Sequence, residues 1–299
     1  MSIFAKKANT LEQNRHIKKS KMQEIWHQFK KNKGAVIGLI VLILIFIAAF
    51  AATFLFDYQR DIVAMNARTR LLTPSLEFPF GTDHMGRSVF ARVLYGAKYS
   101  LLIGFVVVGI STCVGTFLGA IAGYYGGKVE NVIMRVVEIF LMIPNTLLGI
   151  IFVAAFGISL TNLMMALGLS TVPHFARNAR SSVMTVRGNE YVEAAKALGV
   201  SDFKIIFKHI LPNALSPILV QASTRVASAI ISAATFSFLG LGVPSPTPEW
   251  GAMLSDARPF MRDYPHLILF PGLAIMVTVL AINLVGDGLR DALDPKLKR

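Results

Sequence analysis

Charged residues are scarce in this chain, and cysteine is almost absent. Only 16% of the 299 residues are charged, whereas 54% are hydrophobic. Soluble domains carry about 25% charged residues, so this composition excludes an ordinary water-soluble protein and indicates a membrane protein. The single cysteine, Cys113, excludes an internal disulfide bond, and we expect it to pack as a small apolar residue.

Catalytic and metal-binding patterns are missing as well. The stretch most similar to a phosphate-binding loop, AGYYGGKV at 122–129, has Ala122 in place of the first glycine and Val129 in place of the final hydroxyl residue. The six histidines have no second ligand at metal-binding spacing, and no Gly-x-Ser-x-Gly nucleophile motif occurs. We therefore expect no catalytic residues, no metal site and no cofactor in this chain.

Long apolar runs are the main feature that is present. A helix needs about 20 apolar residues to cross a bilayer, and residues 35–56 supply 22 without a charge. Five further runs are 99–125, 136–156, 158–172, 217–243 and 267–285. The pattern predicts an all-α, polytopic membrane protein with about six transmembrane helices, and the run 158–172 is the shortest of them.

These runs divide the chain into parts. We predict an N-terminal tail at 1–33, a first transmembrane helix at 34–56, an extracytoplasmic loop at 57–98 and a five-span core at 99–299. Apolar residues at helical spacing within the tail predict an interfacial helix, and the segment before it is expected to be a disordered basic tail. They are Met22, Ile25, Trp26 and Phe29.

The distribution of positive charge predicts the orientation. If the N-terminus is cytoplasmic, 21 of the 30 lysine and arginine residues lie in cytoplasmic segments and eight in outer ones. This asymmetry agrees with the positive-inside rule, so both termini are expected in the cytoplasm and the protein in the bacterial cell membrane. A net charge of +13 could also indicate nucleic acid, but the charge follows one membrane face, which favours anionic lipid.

Several spans carry residues that need an explanation. Ser111, Gly115, Gly119 and Gly123 recur at every fourth position, which predicts a close helix pair within the chain or between subunits. Arg225 lies inside the fifth apolar run, where a charge costs about 2.5–3.5 kcal/mol. It either lines a water-filled pathway or lies near the inner surface if that helix begins deep in the membrane. Pro144 is expected to kink or unwind the third span.

One cytoplasmic segment, residues 190–212, reads EYVEAAKALGVSDFKIIFKHILP. We predict a short helix capped by Asn189 and ended by a left-handed Gly199, and a second helix capped by Ser201 that leads through Pro212 into the next span. On the first helix, one face is expected to carry Tyr191, Ala194, Ala195 and Leu198. On the second helix, the apolar face is expected to consist of Phe203, Ile206, Phe207 and Ile210. From these residues alone, a docking surface and an ordinary solvated hairpin both remain open.

This segment resembles the EAA loop of ABC-importer permeases. The similarity rests on Glu193, Ala194 and Ala195, on Gly199 four residues later, and on Leu211 with Pro212 at the end; His209 departs from the isoleucine that is common there. Three further stretches resemble the dipeptide, oligopeptide and nickel permeases, in particular their C-type subunit. They are FGTDHMGRSVFARVLYGAKYSLLIG from Phe80, SFLGLGVPSPTPEWG from Ser237, and the basic N-terminal helix with the first span.

The resemblance implies an ABC type I importer permease whose coupling loop, 177–212, receives mechanical work from ATPase subunits. It implies a second homologous permease, two ABC ATPase subunits that bind ATP and Mg²⁺, and an extracytoplasmic substrate-binding protein. Peptide is the expected substrate, and a nickel or metal chelate is the alternative. The loop 244–265 is expected to meet the binding protein, with Trp250 as anchor or as a membrane-interface residue.

Two other classes of protein are compatible with a polytopic chain. A secondary transporter or channel would hold its own coupling-ion site near the membrane midplane and would usually contain internal repeats. A membrane scaffold would need no ATPase partner. The sequence contains neither a recognisable ion site nor repeats, which favours the permease interpretation.

Overall fold

The computed structural model describes residues 21–293, and the regular elements of this part of the chain are helices, as predicted. The helices are α1 (Lys21–Lys31), α2 (Lys33–Leu55), α3 (Val89–Tyr125), α4 (Gly127–Met142), α5 (Asn145–Phe156), α6 (Leu160–Arg187), α7 (Glu190–Ala197), α8 (Asp202–Lys204), α9 (Leu211–Phe238), α10 (Trp250–Ala257) and α11 (His266–Leu293). A π-helical turn, Ile205–Ile210, joins α8 to α9.

Within residues 21–293, four helices are long and apolar enough to cross a bilayer, where about six spans were predicted. They are α2, α3, the continuous helix Asp202–Phe238, and α11. Together α4 and α5 could form a fifth span, but they meet at 89° beside Pro144, which confirms the break predicted there. The predicted span 158–172 falls in α6, a 28-residue helix that is less apolar because its second half carries Arg177, Arg180 and Arg187.

The N-terminal helix is present where amphipathic spacing predicts it. Phe29 is buried against Ala35 and Ala292, and it therefore attaches α1 to the start of α2 and to the end of α11. Asn32 continues this link, because its side chain accepts a hydrogen bond from the Ala35 N–H at 3.1 Å and donates one to Asp291 at 3.0 Å. The predicted disordered tail before α1 lies outside the described residues.

The small-residue ridge of α3 packs against α6 of the same chain. Ser111 donates a hydrogen bond to the Gly168 carbonyl at 2.8 Å, and Gly115, Gly119 and Gly123 follow it, all facing α6. A Cβ atom at Gly119 would lie only 2.3 Å from the Ala176 carbonyl oxygen. The ridge therefore serves the internal helix pair, which decides between the two alternatives. Cys113 lies on the exposed side of α3, away from this helix pair.

A network of charged residues lies at the end of the molecule where α3 begins. Helix α3 begins at Val89, so the predicted loop 57–98 includes its first turns. Arg87 is buried and forms an ion pair with Asp83 at 2.7 Å, and Arg92 donates to the carbonyl oxygens of Ile62 at 2.8 Å and Pro246 at 3.2 Å. These contacts hold the loop before α3 against the segment that follows α9.

Candidate functional site

The turn after α7 forms the site that the sequence singled out. Gly199 has φ +74°, in the left-handed region, and its N–H donates to the Lys196 carbonyl. The N–H of Val200 donates to the Ala195 carbonyl. These two hydrogen bonds make a Schellman motif, which fixes the direction in which the chain leaves the helix. The predicted left-handed glycine stop is therefore confirmed.

The set of buried residues in this segment differs from the predicted set. Val192 and Ala195 are buried, whereas Tyr191, Ala194 and Leu198 are exposed, so only one of the two adjacent alanines is displayed. In the second helix the buried residues are Ile205, Ile206 and Ile210, whereas Phe203 and Phe207 remain exposed. Ile206 and Ile210 are thus buried as predicted, whereas Phe203 and Phe207 contact each other on the exposed side, with ring centres 4.5 Å apart.

The predicted capping residues lie at the expected positions, but they do not form the expected hydrogen bonds. Asn189 and Ser201 occupy the N-cap positions of α7 and α8, but neither side chain makes a capping hydrogen bond. Pro212 marks the entry to the next span as predicted, because it lies in the first turn of α9, which begins at Leu211. Asn213 donates its side-chain N–H to the His209 carbonyl at 2.7 Å, which supplies a hydrogen bond in this turn.

A polar anchor ties this segment to the inner end of α3. The Tyr124 hydroxyl donates to Asp202 at 2.6 Å, and the Lys196 ammonium lies 4.9 Å from the centre of the Tyr124 ring. Arg187 donates to the Gly123 carbonyl at 2.9 Å. Sequence analysis missed these contacts because the partners lie far apart in the chain and no local pattern joins them. The segment is thus a braced unit rather than a free loop.

The exposed side of this unit carries apolar and charged residues, and we call it the coupling surface. Leu198 is 83% exposed and Phe203 is 68% exposed, and Tyr191, Glu193 and Ala194 of α7 are exposed as well. Large apolar side chains exposed in a cluster commonly mark a protein–protein interface. Behind them Val192, Ala195 and Ile205 are fully or almost fully buried, so the surface is presented on a packed support.

Arg225 lies halfway along α9 and borders a cavity. The residue is half-buried, and the cavity of about 60 Å³ lies between α3, α5, α6 and α9. The helix begins at Leu211, and at 1.5 Å per residue Arg225 lies about 21 Å from that end. This position favours a pathway-lining residue over one held near the inner surface.

Trp250 is not available as the predicted exposed anchor. Its side chain is only 2% exposed, and its indole N–H donates to the Val93 carbonyl at 2.9 Å. The preceding residue, Glu249, is also buried and accepts hydrogen bonds from the N–H groups of Gly251 and Ala252, each at 2.8 Å. Ser237 donates to the same carboxylate at 2.8 Å, so this segment fastens α10 to the outer end of α9.

Residues 21–293 contain no group of three histidine, cysteine or acidic side chains that could hold a metal ion. The features described above are thus the coupling surface near one end of the molecule, the half-buried Arg225 beside a cavity, and the buried Glu249 and Trp250 near the other end.

Solved structures share this fold. A chain of the inward-facing MetNI methionine ABC transporter aligns with a TM-score of 0.56 at 19% identity, covering 68% of this chain and 96% of that one. A chain of an amino acid ABC transporter aligns with a TM-score of 0.52 at 16% identity, covering 67% of this chain and 94% of that one. The fold is thus that of the membrane subunits of ABC importers, as the sequence predicted.

Sequence comparisons identify the family. Residues 115–299 match the binding-protein-dependent transport system inner membrane component family, and residues 20–74 match the N-terminal TM domain of oligopeptide transport permease C. The chain therefore belongs to the family of binding-protein-dependent transport system inner membrane components. It is a membrane component of a transport system and not itself an enzyme.

Curated relatives cover nearly the whole chain. The dipeptide transport system permease protein DppC of Alkalihalophilus pseudofirmus is 47% identical over 93% of this chain and 91% of its own length. DppC of Escherichia coli K12 is 45% identical, over 93% and 94% respectively. The glutathione transport system permease protein GsiD of Pectobacterium atrosepticum is 43% identical, over 92% and 91%.

Proposed function

We propose that this chain is the permease subunit of an ABC importer that moves di- or oligopeptides across the bacterial cell membrane. The coupling surface carries the proposal, because it presents Glu193 and Ala194 beside exposed apolar side chains on a rigid support. Such a surface suits the docking of an ATPase subunit, and a braced segment can transmit the motion of that subunit. The names of the relatives favour peptide over a nickel or metal chelate as substrate.

The proposed assembly contains four kinds of component. This chain pairs with a second, homologous permease, and each permease receives one ATPase subunit that binds ATP and Mg²⁺. An extracytoplasmic binding protein delivers the peptide to the outer end. Because Trp250 is buried, it contributes by holding α10 in place rather than by touching the binding protein. Ala195, Gly199, Leu211 and Pro212 act as the support of the coupling surface.

Reconstituted transport tests this function. Proteoliposomes that contain the complete complex are expected to accumulate a radiolabelled dipeptide only when two conditions are met. ATP must be on the membrane side that carries the ATPase subunits, and the loaded binding protein must be on the opposite side. A matched complex that lacks this chain is the control. Uptake that follows a proton or sodium gradient without ATP would instead indicate a secondary transporter, and a complex that retains no ATPase subunit would indicate a scaffold.

The orientation is a separate part of the proposal, since the six lysine and arginine residues at 177–208 favour a cytoplasmic coupling surface. In a Cys113→Ser background, Leu76→Cys and Ala197→Cys place single thiols at exposed positions on the two proposed sides. An impermeant maleimide is expected to label the first variant in intact cells and the second only after permeabilisation. Labelling of Ala197→Cys in intact cells would contradict the topology.

A further inference from the structure

Arg225 lies halfway along α9 and has no acidic partner among the described residues. Within residues 21–293 its guanidinium has no ion pair and no hydrogen-bond acceptor. The cavity beside it is lined by no aspartate or glutamate. Ionisable groups inside a membrane segment are rare and face a partner, a ligand or a water-filled path. An unpaired arginine in this position therefore faces water, another subunit or a negatively charged ligand.

The rest of the cavity wall supplies further hydrogen-bond donors. Ser228 and Ser232 follow Arg225 at i+3 and i+7, so all three lie along one face of α9 and line the same cavity. Asn145 and Thr146 of α5 complete the wall on the opposite side. Hydroxyl and amide groups can donate to an anion, whereas the absence of acidic residues disfavours a bare metal cation.

The break between α4 and α5 adds to the positive potential that Arg225 creates. Helix α5 begins at Asn145, which lines the cavity, and its N-terminus has no side-chain cap. The first N–H groups of a helix have no partner within the helix and carry a partial positive charge. In membrane transporters, such interrupted helices commonly direct an N-terminus at an anionic substrate group.

The size of the cavity limits what can enter it. Its volume of about 60 Å³ exceeds the roughly 10–15 Å³ that a single water requires. It can accept a carboxylate but not a whole peptide, so the remainder of a substrate would lie outside this wall. Arginine suits a carboxylate well, because its planar guanidinium can form two parallel hydrogen bonds with the two oxygens.

We propose that this cavity binds the carboxylate of the transported peptide, with Arg225 as its charge partner and Ser228 and Ser232 as accessory donors. This inference rests on the proposed peptide-import function and names the part of the substrate that this chain recognises. The site would hold the peptide briefly at mid-membrane depth while the coupling surface moves at the cytoplasmic end.

The test compares two forms of one peptide in the reconstituted complex. Initial uptake of a radiolabelled dipeptide and of its C-terminal amide is measured for the wild type, Arg225→Gln and Arg225→Lys. Any discrimination by the binding protein is common to all three complexes, so the acid-to-amide ratio of rates isolates the permease. Arg135→Gln is the matched control, since Arg135 is exposed and the substitution removes the same charge.

Arg225→Gln is expected to lower uptake of the free acid about tenfold or more, the size associated with one charge-assisted hydrogen bond, while amide uptake changes less than about twofold. Arg225→Lys should lower acid uptake less than Arg225→Gln does, because it keeps the charge but loses the two parallel hydrogen bonds, and Arg135→Gln should behave as wild type. An equal fall for acid and amide would overturn the inference and indicate a pairing of Arg225 with another subunit. Unchanged uptake of both would place Arg225 outside the pathway. Failure of the wild type to take up either form would instead refute the peptide-import function itself.

Discussion

Gly119→Leu is expected to prevent stable folding of the chain. Gly119 lies on α3 where it meets α6, and a Cβ atom there would come within 2.3 Å of the Ala176 carbonyl oxygen and 2.8 Å of the Ala179 Cβ. Backbone atoms of a packed helix cannot yield as a flexible side chain would, so the two helices must separate. Overpacking typically costs about 1–3 kcal/mol, and a contact with backbone should lie at or above the upper end.

Gly109→Leu on the same helix provides the matched control, because no atom lies within 4 Å of a Cβ at Gly109. Both variants add the same side chain to a helical glycine, so only the space differs. The measurement is the yield of monodisperse protein in detergent together with its thermal unfolding midpoint. We expect Gly109→Leu to match wild type and Gly119→Leu to aggregate or unfold at a clearly lower temperature. Equal behaviour of the two variants would contradict the role of the ridge.

Gly199→Val is expected to assemble into the complex at near-normal levels and to lose most transport. A Cβ atom at Gly199 would meet no neighbour within 4 Å, so the substitution causes no clash. The cost comes from the backbone, because φ +74° is unfavourable for a residue with a side chain by roughly 1–2 kcal/mol. The chain can relieve this strain by turning α7 away from its position, which would displace the coupling surface.

Gly188→Val is the control for this prediction, since Gly188 precedes the same helix, has open space around it and has φ −85°, which other residues adopt readily. Uptake and binding-protein-stimulated ATPase activity are measured on reconstituted complexes of both variants. A cost of one to two kcal/mol corresponds to about a 5–30-fold change in an equilibrium, so transport by Gly199→Val should fall within that range. Normal coupling in this variant would show that the turn geometry is not required.

The sequence predicted those features that depend on local patterns. Apolar run length located four of the six predicted spans, the four-residue spacing of Gly115 and Gly119 predicted a close helix pair, and Gly199 predicted the turn. Each of these signals results from neighbours within one or two helical turns. The break at Pro144 was predictable for the same reason, because a proline lacks the N–H that continues a helix.

Features that depend on distant partners could not be predicted in this way. The Tyr124–Asp202 hydrogen bond joins residues 78 positions apart, and the burial of Trp250 depends on its contact with Val93, 157 positions away. The predicted buried face of the second helix in the segment 190–212 was partly wrong for a different reason. The prediction assumed uniform α-helical spacing, whereas residues 205–210 form a π-helical turn in which Ile205 is buried and Phe207 is exposed.

The continuous helix from Asp202 to Phe238 has a consequence for movement. Its 37 residues correspond to a rod of about 55 Å, with Tyr124 bonded to one end and the Glu249 carboxylate bonded near the other. If the rod pivots about its midpoint, a tilt of about 5° moves each end by about 2 Å in opposite directions. Arg225 lies close to that pivot and would hardly move. A single tilting motion of this helix would thus open the proposed cytoplasmic and outer faces in turn, while the peptide carboxylate proposed to bind Arg225 stays near the pivot.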